Sequence, residues 1–341
     1  MNGFLEEVVT EGKVLKELLD YHKAENPTKK VADLFRTGKY KRILFAGMGS
    51  SFYAPYTVVD YLISKGIPSM VLNAFEASRY QFGMVSGETL LVAISQSGKS
   101  KEVMELIRKS RGHTNIVGIV NKEDSLLAQE AEYPIFMKAG PENFISNKSF
   151  MATLAVCILL AADIVGELDD RVYQPLYELA DWMDKYLTNI EANTVPLIKF
   201  IEGATNIDFL ANGPSISTSM EAGLTFREGP HITTAAVNTA DYAHGWDRSV
   251  KEGYVGVISA PGYDPKALDP ALPNLLTVEA RMIDSIHERG GKVVLITDSK
   301  IASTNKLFVI KHPQVPERMA SLAQTVPCNC LMGWMMGDRS R

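Results

Sequence analysis

At 341 residues, with 46% apolar and 22% charged side chains and a formal charge of −5, the chain is long enough for two domains that each bury a core. The net negative charge, with no run of Lys and Arg, argues against a nucleic-acid or anionic-membrane surface, so an anionic ligand has to be held by local donors. Cys157, Cys328 and Cys330 form neither a disulfide framework nor a zinc ligand set, which fits a reducing cytoplasm.

The N-terminal segment, 1–38, reads as helical, with Phe4, Leu5, Val8, Leu15, Leu18 and Leu19 on an apolar stripe and Pro27 interrupting it. Its acidic residues Glu6, Glu7 and Glu11 are unlike the basic start of a signal peptide. A first strand, Ile43 to Ala46, runs into the small loop Gly47-Met48-Gly49-Ser50-Ser51 and a helix from about Phe52 to Lys65. Strands follow at Ser69 to Asn73, Leu90 to Ile94, Ile116 to Val120 and near Pro134 to Met137. Strands alternating with helices at this spacing predict a parallel, doubly wound sheet. Helices are expected over 148–165 and about 171–190. The apolar run from Met151 to Val165 is too short to span a membrane and carries Asp163, so it is read as a core helix.

The pattern then begins again. Ile207 to Ala211, the loop Asn212-Gly213-Pro214-Ser215 and a helix to Glu228 precede strands at Ile232 to Ala236, Tyr254 to Ser259, Lys292 to Thr297 and Leu307 to Ile310. The order and spacing match the first half and imply an internal duplication.

The two halves differ after their third strands. In the first half, Ser95-Gln96-Ser97-Gly98-Lys99-Ser100 leads into an amphipathic helix with Val103, Leu106 and Ile107 on one face. A helix start with hydroxyls and a glycine can cradle a phosphate; the same residues can equally punctuate a turn, with Ser100 as a helix cap. The loop lacks the patterns of a nucleotide P-loop and of a dinucleotide fingerprint, so a monophosphate on a small molecule suits it better. In the second half the matching loop is Ser259-Ala260-Pro261-Gly262, where proline has no N–H to give. That half carries ionisable groups instead: Glu221, Glu228, His231, Asp241 and His244. One copy is expected to bind and the other to react.

The motifs Gly49-Ser50-Ser51, Ser95-Gln96-Ser97-Gly98, Ser146-Asn147-Lys148-Ser149-Phe150, Glu221-Ala222-Gly223, Phe226-Arg227-Glu228 and His244-Gly245 together resemble the double-SIS (sugar isomerase) family. The likeness is to the isomerase half of glucosamine-fructose-6-phosphate aminotransferase and to stand-alone amino-sugar-phosphate deaminases and fructosamine-6-phosphate deglycases. It implies an α/β fold of two tandem, flavodoxin-like SIS domains at 39–167 and 197–341, joined by a linker helix at 168–196.

It also implies that Ser51, Ser95, Gln96, Ser97 and Ser100 hold a sugar phosphate, with Gly49, Ser50 and Ser146 lining the sugar. Glu228 takes the place of the family's base, and His244, 16 residues later, that of the ring-opening histidine. Moving a proton between C1 and C2 needs one such carboxylate and one such acid/base, without metal or cofactor. Glu221 either orients substrate or pairs with a cation. The implied assembly is a cytoplasmic homodimer with His244 reaching the partner's site, a small sugar phosphate as ligand, and no nucleic-acid or membrane partner. Two departures stand out: Thr225 where the aminotransferase has a lysine, and Trp246 where it has a proline after His-Gly. The chain is also expected to lack a glutaminase domain and the aminotransferase's C-terminal tail with its lysine. Deamination or deglycation is therefore favoured over isomerisation, with a non-catalytic phosphosugar sensor as the competing class.

Overall fold

The computed structural model describes residues 2–143 and 145–337; position 144 and the chain ends expected in the first and last segments lie outside the described residues. Packing divides the chain into one unit of residues 10–184 and another made of the segments before and after it. The first helix, α1 (Gly3–Val8), belongs to the second of these, where its Asn2 cap donates from Nδ2 to the carbonyl of Gly333 at 2.7 Å.

The unit of residues 10–184 opens with α2 (Glu11–Glu25) and α3 (Lys29–Arg36). It continues through β1 (Arg42–Gly47), α4 (Ser50–Tyr53), α5 (Tyr56–Ser64), β2 (Ser69–Asn73), α6 (Ala74–Arg79) and β3 (Thr89–Ser95). The remaining elements are α7 (Lys101–Ser110), β4 (Ile116–Val120), α8 (Leu126–Glu130), β5 (Tyr133–Phe136), α9 (Lys148–Val165) and most of α10 (Asp170–Thr188).

Its five strands pair in parallel in the order β2-β1-β3-β4-β5. All residues of β3 and β4 are buried, as expected of parallel strands covered on both faces. The single helix expected over 52–65 is two helices, because Pro55 has no N–H to continue the ladder and stands instead as the N-cap of α5. Helix α9 has the length and apolarity to cross a membrane, yet 94% of its apolar window is buried inside the protein.

The second unit continues with α11 (Ile190–Phe200), β6 (Asn206–Ala211), α12 (Ile216–Glu228), β7 (Ala236–Asn238), α13 (Thr239–Tyr242), β8 (Tyr254–Ser259) and α14 (Val278–Glu288). It closes with β9 (Lys292–Thr297), β10 (Leu307–Lys311) and α15 (Glu317–Met336). Here the order is β10-β9-β8-β6-β7, again all parallel. Read from the first strand of each sheet, the two orders are the same.

One strand is displaced from its expected place at Ile232 to Ala236. That stretch is tied to α12 instead: the Arg227 guanidinium donates to the Thr234 carbonyl at 2.7 Å, and the Thr234 hydroxyl donates to the Gly223 carbonyl at 2.8 Å. Pairing with β6 begins only at Ala236.

Candidate functional site

In the first sheet the strand order reverses between β1 and β3, which are direct neighbours. Chains leaving such a pair diverge to opposite sides and leave a crevice at their carboxyl ends. A cavity of about 260 Å³ lies there, lined by Ser50 and Ser51 after β1, by Gln96, Ser97 and Ser100 after β3, and by Ser146 before α9. The backbone requirements of this crevice explain its glycines. A Cβ at Gly47 would stand 2.5 Å from the Ser51 carbonyl oxygen, and Gly49 has φ +53°, a region that L side chains rarely adopt.

Ser95 serves the cavity from behind. It is 2% exposed, its hydroxyl lies 2.9 Å from that of Ser100, and it accepts from the Gly98 N–H at 3.1 Å. Ser100 occupies the N-cap position of α7 but makes no side-chain cap bond to the helix. A simple turn would use that hydroxyl as the helix cap; it is turned to Ser95 instead, so it caps none of the N–H groups of the first turn.

The sequence reading missed one wall. Glu142, Ser149 and Thr153 also line the cavity. The Glu142 carboxylate accepts from the backbone N–H groups of Asn147 at 3.1 Å and Ser149 at 3.0 Å, and from the Ser149 hydroxyl at 2.5 Å. Lys148, 7% exposed, donates to the Pro141 carbonyl at 2.8 Å. An acid ahead of a helix start is a common pattern, and only the folding back of the segment after β5 brings this one to the cavity wall.

The remaining expected site residues belong to the second unit. Glu228 ends α12 and is solvent-accessible, and desolvation by its surroundings still raises its carboxyl above the usual carboxylate range. Glu221, on the same helix, is 1% exposed. Thr225 is 2% exposed and its hydroxyl bonds back to the Ala222 carbonyl at 3.3 Å, so this turn offers no amine.

His244 follows α13 and is exposed on the wall of an open groove of about 780 Å³, together with Arg227, Trp246 and Lys251. Gly245, at φ +122°, lets the chain turn between His244 and Trp246. Near the loop Ser259–Gly262 a smaller hollow of about 190 Å³ is lined by Asn212, Asp264, Glu279 and Glu317. Among the described residues no group of three or more His, Cys, Asp or Glu is placed to hold a metal ion.

Comparison with known proteins adds a family to this geometry. Residues 38–163 match the SIS domain. The glutamine–fructose-6-phosphate aminotransferase (isomerizing) of Pyrococcus horikoshii is 28% identical, across 96% of this chain and 53% of its own length. The chain thus spans about half the length of the curated relatives it matches.

Among solved structures, glucosamine-6-phosphate deaminase from Thermotoga maritima superposes with a TM-score of 0.73 at 20% identity, over 99% of this chain and 95% of that one. Tagatose-6-phosphate ketose/aldose isomerase from Escherichia coli gives 0.78 at 15%, over 98% and 93%. At these identities the structural matches establish the fold.

Proposed function

We propose that this chain, an SIS-domain protein by residues 38–163, converts a 6-phosphorylated amino sugar or sugar–amine conjugate. The observation that carries the reading is the cavity at the carboxyl ends of β1 and β3, walled by the hydroxyls and amide of Ser50, Ser51, Gln96, Ser97, Ser100 and Ser146. Such donors, set before the first turn of α7, suit a phosphate monoester.

The same strand order in both sheets supports a duplication; in this reading one copy binds phosphate and the other moves the proton. His244 opens the sugar ring. Glu228 takes a proton from one of C1 and C2 and returns it to the other, which moves the C=N or C=O bond between them without net oxidation. Water then adds across the imine, giving its oxygen to carbon and one proton to nitrogen, and the amine leaves with the second proton of that water as the carbonyl forms. A carboxylate lifted above its ordinary range, as Glu228 is, is better matched to taking a proton from carbon near neutral pH. In this reading the protein is a homodimer of a reducing compartment, with His244 serving the partner's site; the buried free thiols of Cys157, Cys328 and Cys330 accord with such a compartment.

The test is a proton NMR time course with glucosamine 6-phosphate in heavy water, run beside an ammonia assay. Exchange at C1 or C2 with ammonia release supports deamination. Exchange without ammonia redirects the reading to aldose–ketose isomerisation or to a conjugate with another amine. Binding without exchange of glucosamine or fructosamine phosphates overturns the enzyme reading in favour of a phosphosugar sensor.

A further inference from the structure

The cavity beneath β1 and β3 is not uniformly a donor site. On one wall stand Gln96, Ser97 and Ser100, with the first turn of α7 behind them; on another, between β5 and α9, stands the carboxylate of Glu142. A carboxylate only accepts hydrogen bonds and carries the same sign of charge as a phosphate. A phosphate set against it would be repelled in a partly desolvated cavity, whereas a sugar hydroxyl or ammonium would be held by a charge-assisted bond.

The carboxylate is also firmly placed. It accepts from two backbone N–H groups and one hydroxyl across residues 147–149, while Lys148 holds the preceding Pro141 carbonyl. These contacts fix Glu142 as part of the wall rather than as a mobile surface acid.

We infer that Glu142 sets the direction in which a phosphosugar lies in this cavity, with phosphate toward Ser97 and Ser100 and a hydroxyl or amine of the sugar on Glu142. The inference rests on the phosphosugar reading above and adds to it a residue that touches the substrate and discriminates a sugar phosphate from phosphate alone. The competing role for Glu142 is a clamp on the start of α9 that never meets ligand. The two roles separate cleanly, since a clamp supports the whole cavity and an orienting acceptor helps only the sugar.

Calorimetric titration of the full chain with inorganic phosphate and with glucitol 6-phosphate, which has no carbonyl and cannot turn over, distinguishes them. In Glu142→Gln the affinity for glucitol 6-phosphate should fall at least about tenfold, while that for inorganic phosphate stays level or rises as the like charge is removed. Equal loss for both ligands, or no loss for the sugar phosphate, overturns the inference and leaves the phosphosugar reading standing. If wild-type protein binds neither ligand, that reading falls and this one with it. Should Glu142→Gln fail to fold, Glu142→Asp keeps the charge but shortens the reach. It should weaken glucitol 6-phosphate alone, and a matched loss for phosphate overturns the inference.

Discussion

The loops that follow β3 and β8 occupy the same place in their sheets, each at the carboxyl end of the middle strand and each with a positive-φ glycine in fourth position, Gly98 at +63° and Gly262 at +68°. They spend their polar groups in opposite ways. After β3, Gln96, Ser97 and Ser100 face a cavity. After β8, the Ala260 N–H goes to the Ile296 carbonyl, the Gly262 N–H goes to Asp298 at 2.6 Å, and Pro261 has none to give. A hollow exists beside this loop too, but Asp264, Glu279 and Glu317 line it. Topology therefore fixes where a crevice forms, and a few side chains decide which charge it suits.

The largest expected effect tests the division of labour itself. Glu228→Gln should lower turnover by about 10²–10⁴-fold, the usual worth of a general base, with the affinity for a sugar phosphate within about twofold of wild type. Loss of binding on the same scale as turnover would place Glu228 with the phosphate-binding residues and break the contrast between the halves. In wild type the acidic limb of kcat/KM should lie above the ordinary carboxylate range, because the base works only when deprotonated and desolvation raises its pKa. A limb at or below that range, read from the pH profile, would remove Glu228 from the base role.

The paired glycines sharpen the comparison. A Cβ on Gly98 would meet the Ser125 hydroxyl at 2.1 Å and Val120 Cγ2 at 2.9 Å, whereas a Cβ on Gly262 meets nothing within 4 Å. Ser125 is fully buried and its hydroxyl accepts from the Ala128 N–H at the start of α8, so it has little freedom to move aside. Gly98→Ala should cost about 2–5 kcal/mol, from left-handed backbone strain plus overpacking, and abolish phosphosugar binding. Gly262→Ala should cost only the strain, about 1–2 kcal/mol, and leave binding intact. Denaturant melts beside ligand titrations read both, and equal costs would show that the two loops are under the same constraint.

Much of this was legible in the residues because it is local. Strands such as Ile116–Val120 and Lys292–Thr297 are apolar runs with abrupt polar ends, and a parallel strand needs little else. The serine loops were visible because hydroxyls and glycine crowd one helix start. Glu142 was not, because its meaning depends on a segment after β5 folding back to wall a cavity formed by β1 and β3, and sequence spacing carries no trace of that. The strand expected at Ile232 was lost to a similar long-range competition, in which Arg227 and Thr234 bind the segment to α12. Ser100 could be read as a cap or as a phosphate donor, and only the fold shows its hydroxyl beside that of the buried Ser95 with no cap bond to α7.

A smaller effect separates the units by their response to acid. Each buries a histidine beside its last strand: His22, 1% exposed and bonded to the Phe136 backbone at the end of β5, and His312, 6% exposed and bonded to the Pro313 carbonyl at 2.8 Å just after β10. Burial lowers both pKa values, His22 to about 4 from 6.5. A histidine held neutral in the fold stabilises it above its unfolded pKa, and that stability is lost as pH falls through the folded value. For His22 the window runs from about 6.5 down to about 4, a drop of up to about 3 kcal/mol. His22→Gln should flatten this loss in the unit of residues 10–184 and leave the pH dependence of the other unit unchanged, as read by hydrogen exchange resolved by segment. An unaltered acid response in the mutant would mean that burial does not hold the His22 pKa below its unfolded value.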